Sequence, residues 1–264
     1  MHEQAREAGL LAVKLEISSA RIAVIDHKWR GEGIASTFNR VYLPKSGEAF
    51  VRCGEETTVM EPGYAYFIPA GTTISFRCDT VMEKIFFHFN LYRPDHYDFF
   101  YRLDRIVRIP VASSDYEMLE RSLMGDRYVD SVSVQLFLME MIREIQLVNG
   151  MTEEIPCYSE YVQDTLDYIH DHLSAGLRVS ELARRLFVSR SYLADLFCKE
   201  LGVTPGKYID DQLLLAAQWR LQQTDASMAE ISRKLGYSDQ FSFSRRFKQL
   251  CGLTPFTYRK YHRG

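Results

Sequence analysis

Gln240, Phe241, Ser242, Arg245 and Lys248 fall within nine residues, at spacings that bring them to one side of a short helix. At about 100° per residue, Phe243, Phe247 and Leu250 take the opposite side and form a face to bury. The outward set suits the reading of a DNA groove. An Arg can bond guanine O6 and N7 together, a Gln can read adenine, and an exposed Phe can meet a thymine methyl. Lys248 supplies charge for phosphate. Arg246 lies nearer the core edge, where a phosphate contact and an internal ion pair are both open readings.

An earlier segment repeats this layout with different chemistry. Leu193 and Phe197 are its apolar side, and Arg190, Ser191, Ala194, Asp195 and Cys198 look outward. This face is poor in cations. Asp195 can accept from cytosine N4, or it can simply repel phosphate.

The elements that must carry these faces are duplicated. Glu181-Leu-Ala-Arg-Arg-Leu186 is echoed by Glu230-Ile-Ser-Arg-Lys-Leu235, Ser189 by Ser238, and Gly202-Val-Thr-Pro205 with Tyr208 by Gly252-Leu-Thr-Pro255 with Tyr258. A period of roughly fifty residues marks a duplicated supersecondary unit. Each copy reads as a short amphipathic helix, a tight turn, a serine N-cap and a second helix ending at glycine. That is the helix-turn-helix pattern, whose second helix enters the major groove. A linking helix from Asp211 to Gln223 is expected between the copies, and a leading helix from Tyr161 to Leu173 before them.

Over about Tyr161 to Lys260 the chain resembles the AraC/XylS-type transcription regulators. The motifs that carry the resemblance are Ile231 to Leu235, Gly236-Tyr-Ser-Asp239, Phe243-Ser-Arg245, Phe247-Lys248, Gly252-Leu-Thr-Pro255 and Tyr258-Arg259. It implies two recognition helices reading adjacent major-groove segments about one duplex turn apart. Two positions depart from the family pattern: Leu213, where the family usually has Arg, and Ala194-Asp195, where it often has Ser-Arg.

From Ala12 to about Val111 the pattern is β. Short runs rich in β-branched and aromatic residues (Val13 to Ile17, Arg21 to Ile25, Thr73 to Phe76, Lys84 to Phe89) alternate with Gly- and Pro-containing turns, which predicts a sandwich or barrel. Glu61-Pro-Gly-Tyr-Ala-Tyr-Phe-Ile-Pro-Ala-Gly71 resembles the strand-and-turn signature of cupin-like jelly rolls, a domain that many AraC-type regulators carry at the N-terminus. Cupin enzymes hold a metal through an H-x-H pair. Before Pro44 this chain has Phe38, Asn39, Arg40, Val41 and Tyr42 instead, so no metal and no other cofactor is expected. Trp29, Arg40, Tyr42, Tyr66 and His88 are the candidate lining of a site for a small polar ligand, for instance a sugar stacked on an aromatic ring.

Helices are expected at Asp115 to Leu123 and Ser131 to Val148. In the second, Val134, Leu138, Met141, Ile142 and Ile145 recur at helical spacing, and Leu136, Phe137 and Met139 make further faces apolar. This excess suggests a homodimer, with Leu138, Met141 and Ile145 as candidate contacts. Asn149 to Cys157 reads as a linker.

The 264 residues suffice for two ordinary domains. The net charge of −3 hides an asymmetry, since from Tyr158 onward there are 15 basic and 12 acidic residues. Five scattered cysteines suggest free thiols. The first fifteen residues do not read as a signal peptide, and no apolar run reaches membrane-spanning length. The expected location is the cytoplasm.

The expected fold is α+β and multidomain: a cupin-like β jelly roll over 1–111, a helical dimerisation segment and linker over 112–157, and an all-α tandem helix-turn-helix domain over 158–264. The expected partners are double-stranded DNA, a small-molecule effector, a second copy of the chain, and RNA polymerase if the protein activates. Two rival readings are a ligand-independent regulator whose β domain only dimerises, and a cupin-type enzyme fused to a DNA-binding domain.

Overall fold

A computed structural model describes residues 13–93, 95–100, 103–151 and 158–263. The expected linker lies largely outside them, as do residues 1–12. The chain divides into two compact units, Met1–Ile155 and Pro156–Gly264.

The first unit contains nine described strands: β1 Lys14–Ile25, β2 Arg30–Ile34, β3 Asn39–Ser46, β4 Ala49–Cys53, β5 Glu56–Met60, β6 Tyr64–Ile68, β7 Ile74–Arg77, β8 Met82–Tyr92 and β9 Val107–Pro110. Two helices follow, α1 Ser113–Met124 and α2 Tyr128–Val148. The strands form two sheets, ordered β1-β8-β3-β6-β9 and β2-β7-β4-β5. Both are open. β1 and β9 are the edges of the first and β2 and β5 those of the second, and among the described residues no ladder joins the sheets. The expected cupin-like jelly-roll barrel is therefore corrected to two open sheets. Its signature stretch does form a strand and turns, with Gly63 and Gly71 at positive φ. Short strands with glycine turns are common to barrels and open sheets, and only long-range hydrogen bonding separates the two. The two runs expected before Asp26 are one strand, β1, with a register shift between Ile17 and Ser19.

Alternation along the central strands sorts the side chains. Ile85, Phe87, Phe89 and Leu91 of β8 join Val41 and Leu43 of β3 in a core that also takes Leu119 of α1 and Val134, Leu138, Met141, Ile142 and Ile145 of α2. The other face of the same strands, with Tyr42, Tyr66, Ile68 and Met82, packs with Ala49, Val51 and Ile74 of the second sheet. Lys84, Phe86 and His88 share this inter-sheet side, in register with Pro44, Tyr42 and Arg40 of β3. Buried Asp98 clamps the far end. It accepts from Asn39 Nδ2 at 2.7 Å, Asn90 Nδ2 at 3.0 Å, and the Leu91 and Phe100 backbone N–H groups at 3.1 and 2.9 Å.

The second unit is helical: α3 Glu160–Asp171, α4 Val179–Arg185, α5 Arg190–Leu201, α6 Pro205–Gln223, α7 Met228–Lys234, α8 Gln240–Cys251 and α9 Pro255–Arg263. The pairs α4/α5 and α7/α8 are the two helix-turn-helix copies. Ser189 caps α5 by accepting from the Tyr192 N–H, and Gly202 and Gly252 end α5 and α8 in the left-handed region. The cap of α8 is Asp239, which accepts from the N–H groups of Phe241 and Ser242. The expected cap Ser238 instead donates its hydroxyl to Asp239. The second turn is one residue longer, and a carboxylate at the cap also meets the helix dipole favourably. The linking helix is longer than expected, because Thr204 caps it and Pro205 takes the first turn, where its missing N–H costs nothing.

The second residue after each first helix has positive φ, +73° at Gly236 and +55° at Phe187. A Cβ on Gly236 would collide with the Ser174 hydroxyl, whereas Phe187 is 97% exposed. Phe187 thus carries left-handed strain of about 1 kcal/mol with almost no burial to offset it. Phe187→Gly should raise the thermal midpoint by a few degrees, corresponding to about 1 kcal/mol, and Gly236→Ala should lower it. A melting curve for Phe187→Gly at or below the parent would contradict this.

Candidate nucleic-acid interface and inter-sheet cluster

The recognition faces are set by what each helix buries. Leu193 and Phe197 of α5, and Phe243 and Phe247 of α8, are 2% exposed or less. Phe197 meets Tyr208 edge-on at 5.6 Å, and Phe247 meets Tyr258 in the same way at 5.4 Å. With those sides inside, Gln240, Phe241, Arg245 and Lys248 are exposed and Ser242 is half-buried. On α5, Arg190, Ser191 and Asp195 are exposed, and Ala194 and Cys198 are half-buried. The structure thus gathers each outward set on one helix face.

Arg246 resolves to the internal ion pair. Its guanidinium binds the Asp210 carboxylate of α6, with Nε at 3.2 Å, and Nη1 donates to Gln249 at 2.7 Å. Asp210 thereby ties α8 to the linking helix. A cleft of about 900 Å³ lies between the two copies, lined in part by Arg178, Arg190, Tyr237, Ser238 and Ser242. Arg190 and Ser242 stand in the first turns of α5 and α8, so the cleft opens beside both recognition helices. The 19 residues of α6 give a spacer of about 28 Å, near the roughly 34 Å pitch of the duplex.

In the first unit, four of the five expected ligand residues come together. The Lys84 ammonium lies 4.1 Å from the Trp29 ring centre and 3.7 Å from that of Tyr42, and Phe76 packs on Trp29 at 4.4 Å. His88 stacks on Phe38 at 4.4 Å and touches Phe86 at 4.9 Å. Arg40 lies over Phe38 at 5.3 Å and donates to the Ser36 hydroxyl. The fifth, Tyr66, is buried in the same interior, but its hydroxyl accepts from the Glu61 N–H at 3.0 Å. Lys84 and Phe38 are the members that the sequence reading missed. The alternation Met82-x-Lys84-x-Phe86-x-His88 was the available signal, since it places the lysine on the inward side of its strand.

Burial, reinforced by Arg40, lowers Lys84 from its usual 10.5 to about 7. Burial, with Arg40, Lys84 and Arg21 adding repulsion, lowers His88 to about 3. Leu138, Met141 and Ile145, the expected dimer contacts, are buried against the sheet of their own chain. The large hydrophobic residues of α2 left exposed are Tyr128, Val129, Val132, Leu136, Met139, Leu147 and Val148.

Residues 182–261 match a family described as a helix-turn-helix domain. The Msm operon regulatory protein of Streptococcus mutans is 33% identical over 123 residues, 47% of this chain and 44% of that protein. The chain therefore spans under half the length of this relative. RafR, the raffinose operon transcriptional regulatory protein of Pediococcus pentosaceus, is 22% identical over 260 residues, 89% of each chain. A structure of ToxT from Vibrio cholerae shares the fold at 10% identity with a TM-score of 0.52, over 96% of this chain and 100% of that one. The first two are named as operon regulatory proteins. The second unit is a DNA-binding, tandem helix-turn-helix module. Among the described residues, no group of three or more His, Cys, Asp or Glu could hold a metal, and no helix is long and apolar enough to cross a membrane.

The Lys84 shift has a signed consequence. Between about pH 7 and 10.5 the unfolded chain holds a proton that the folded chain gives up, so stability rises with pH across that interval. Thermal midpoints from pH 7 to 9.5 should therefore climb more steeply in the parent than in Lys84→Met. Parallel curves would contradict the lowered value.

Proposed function

We propose that the chain, whose second unit is a tandem helix-turn-helix module, is a one-component transcription regulator. Its DNA binding or activation would respond to a small molecule held by the first unit. The observation that carries this reading is the duplicated motif, with Gln240, Phe241, Ser242, Arg245 and Lys248 on one exposed face and Arg190, Ser191, Ala194 and Asp195 on the other. The proposed division of labour is a ligand-sensing domain over 1–111, a dimerising helical segment over 112–157 and a DNA-binding domain over 158–264. The protein acts in the cytoplasm, and an activating role would add RNA polymerase as a partner.

The effector site is assigned to Trp29, Arg40, Tyr42 and His88, with Tyr66 in the wall behind them. RafR takes its name from a raffinose operon, and ToxT has a structure bound to an unsaturated fatty acid. The inter-sheet cluster itself supports a small-molecule site, because ring faces and polar groups converge there.

The second recognition helix is assigned the larger share of charge-assisted reading. On duplexes selected from a random pool, Arg245→Ala should cost about 1–3 kcal/mol and relax preference at one base pair. Lys248→Ala should weaken binding to all sequences alike and flatten the salt slope by about one unit. Asp195→Ala separates base reading, where one position relaxes, from phosphate repulsion, where binding tightens everywhere. Binding isotherms at two salt concentrations measure all three. Arg245→Ala binding every duplex as the parent does would overturn this assignment.

A homodimer is proposed through α2. Val129, Val132, Leu136 and Met139 are exposed and follow the three-four spacing of a helix-pairing seam. Leu136→Glu with Met139→Glu should give a folded monomer by sedimentation. Leu138→Glu, by contrast, should destabilise the unit by placing a charge in its core. A wild-type chain that sediments as a monomer at micromolar concentration would refute the dimer.

A further inference from the structure

Arg40 is 5% exposed and Lys84 is 3% exposed. Isolated buried charges are costly, so buried cations are normally paired with carboxylates. Here the pairing is absent. Arg40 donates to the Ser36 hydroxyl, while its Nη1 is buried without a hydrogen-bond partner. The Lys84 ammonium meets ring faces. Among the described residues neither cation has a carboxylate within ion-pair distance. The charged and titratable groups around Lys84 are Arg40, His88, Cys78 and Tyr42, and none of them is an acid that could neutralise it at neutral pH. Nearby Glu83 is taken by Lys45 at 3.3 Å.

We infer that the inter-sheet cluster is a site for a small organic anion, with a carboxylate or phosphate head held by Arg40 and Lys84 and a body lying on Trp29, Phe38 and Phe86. This rests on the small-molecule reading above and narrows it, since a neutral sugar would leave both cations uncompensated. The unpartnered Nη1 supplies a guanidinium donor, and guanidinium geometry suits both head groups. The aromatic rings suit an apolar or ring-shaped body. An arriving anion would raise the charged fraction of Lys84, so that binding and protonation reinforce each other.

The full chain has two tryptophans, so Trp219→Phe leaves Trp29 as the sole indole reporter inside the site. In that background, Trp29 emission is titrated with benzoate against benzyl alcohol and with glucose 6-phosphate against glucose. At least one anion should give a saturable change that its neutral counterpart does not. Arg40→Met and Lys84→Met should each weaken that response about tenfold or more. The responding pair identifies carboxylate or phosphate as the head group. Lys84→Met should melt no lower than the parent without ligand, because it removes a buried charge and keeps the volume. The inference is overturned if neither anion moves Trp29 emission, if the neutral compounds act equally, or if the response survives both substitutions. DNA binding is measured on the same preparations. DNA binding without any anion response sinks this inference alone, whereas an anion response without DNA binding sinks the regulatory reading alone.

Discussion

The reading surface depends on one contact made twice, a recognition-helix phenylalanine held edge-on by the tyrosine that follows Thr-Pro. Phe197 with Tyr208 and Phe247 with Tyr258 bury four rings, and that burial decides which side of α5 and α8 faces out. The intervening Gly and Thr-Pro reverse the chain so that the tyrosine can reach back. Glycine ends the helix in the left-handed region, threonine caps the next helix, and proline fills its first turn. The linking helix then joins both copies, and the Arg246–Asp210 pair ties it to the second. The two faces differ in charge because the repeat conserves the buried side and leaves the outward side free to diverge.

The first unit is built on the two-sidedness of β3 and β8. One side of the sheet is an apolar floor for α1 and α2. The other encloses Arg40, Lys84 and His88 among aromatic rings. Burial, reinforced by repulsion among these basic groups on adjacent strands, depresses the proton affinities of Lys84 and His88, and the proposed anion would offset both costs. Asp98 closes the end of these strands with four hydrogen bonds, so this buried carboxylate is already spent on the scaffold.

The duplicated module was legible because its signals are local: glycine stops, serine caps and apolar periodicity within a dozen residues. Its error was local too: Ser238 lost the cap to Asp239 because an extra turn residue shifted the register. Arg246 stayed open between phosphate contact and internal pair because its partner Asp210 lies on another helix. The β unit was legible as strands and turns. Its sheets could not be read, because long-range pairing decides between a closed barrel and two open sheets, and the signature at Glu61 to Gly71 is compatible with both. The spacing of Leu138, Met141 and Ile145 suits a spare apolar face, but they fill the floor of their own sheet. The spare face is the one with Leu136 and Met139. Lys84 is easily missed because a lysine in a strand is usually a solvated residue, although its alternation with Met82, Phe86 and His88 marks the inward side and the register with β3 agrees.

The central claim is that both copies of the motif enter the major groove, about one duplex turn apart. Methylation interference at guanine N7 on a selected duplex tests it most directly. The account predicts, for each bound chain, two clusters of interfering guanines on one face of the duplex, about 10 base pairs apart. A single cluster per bound chain, or binding indifferent to N7 methylation throughout, would contradict it.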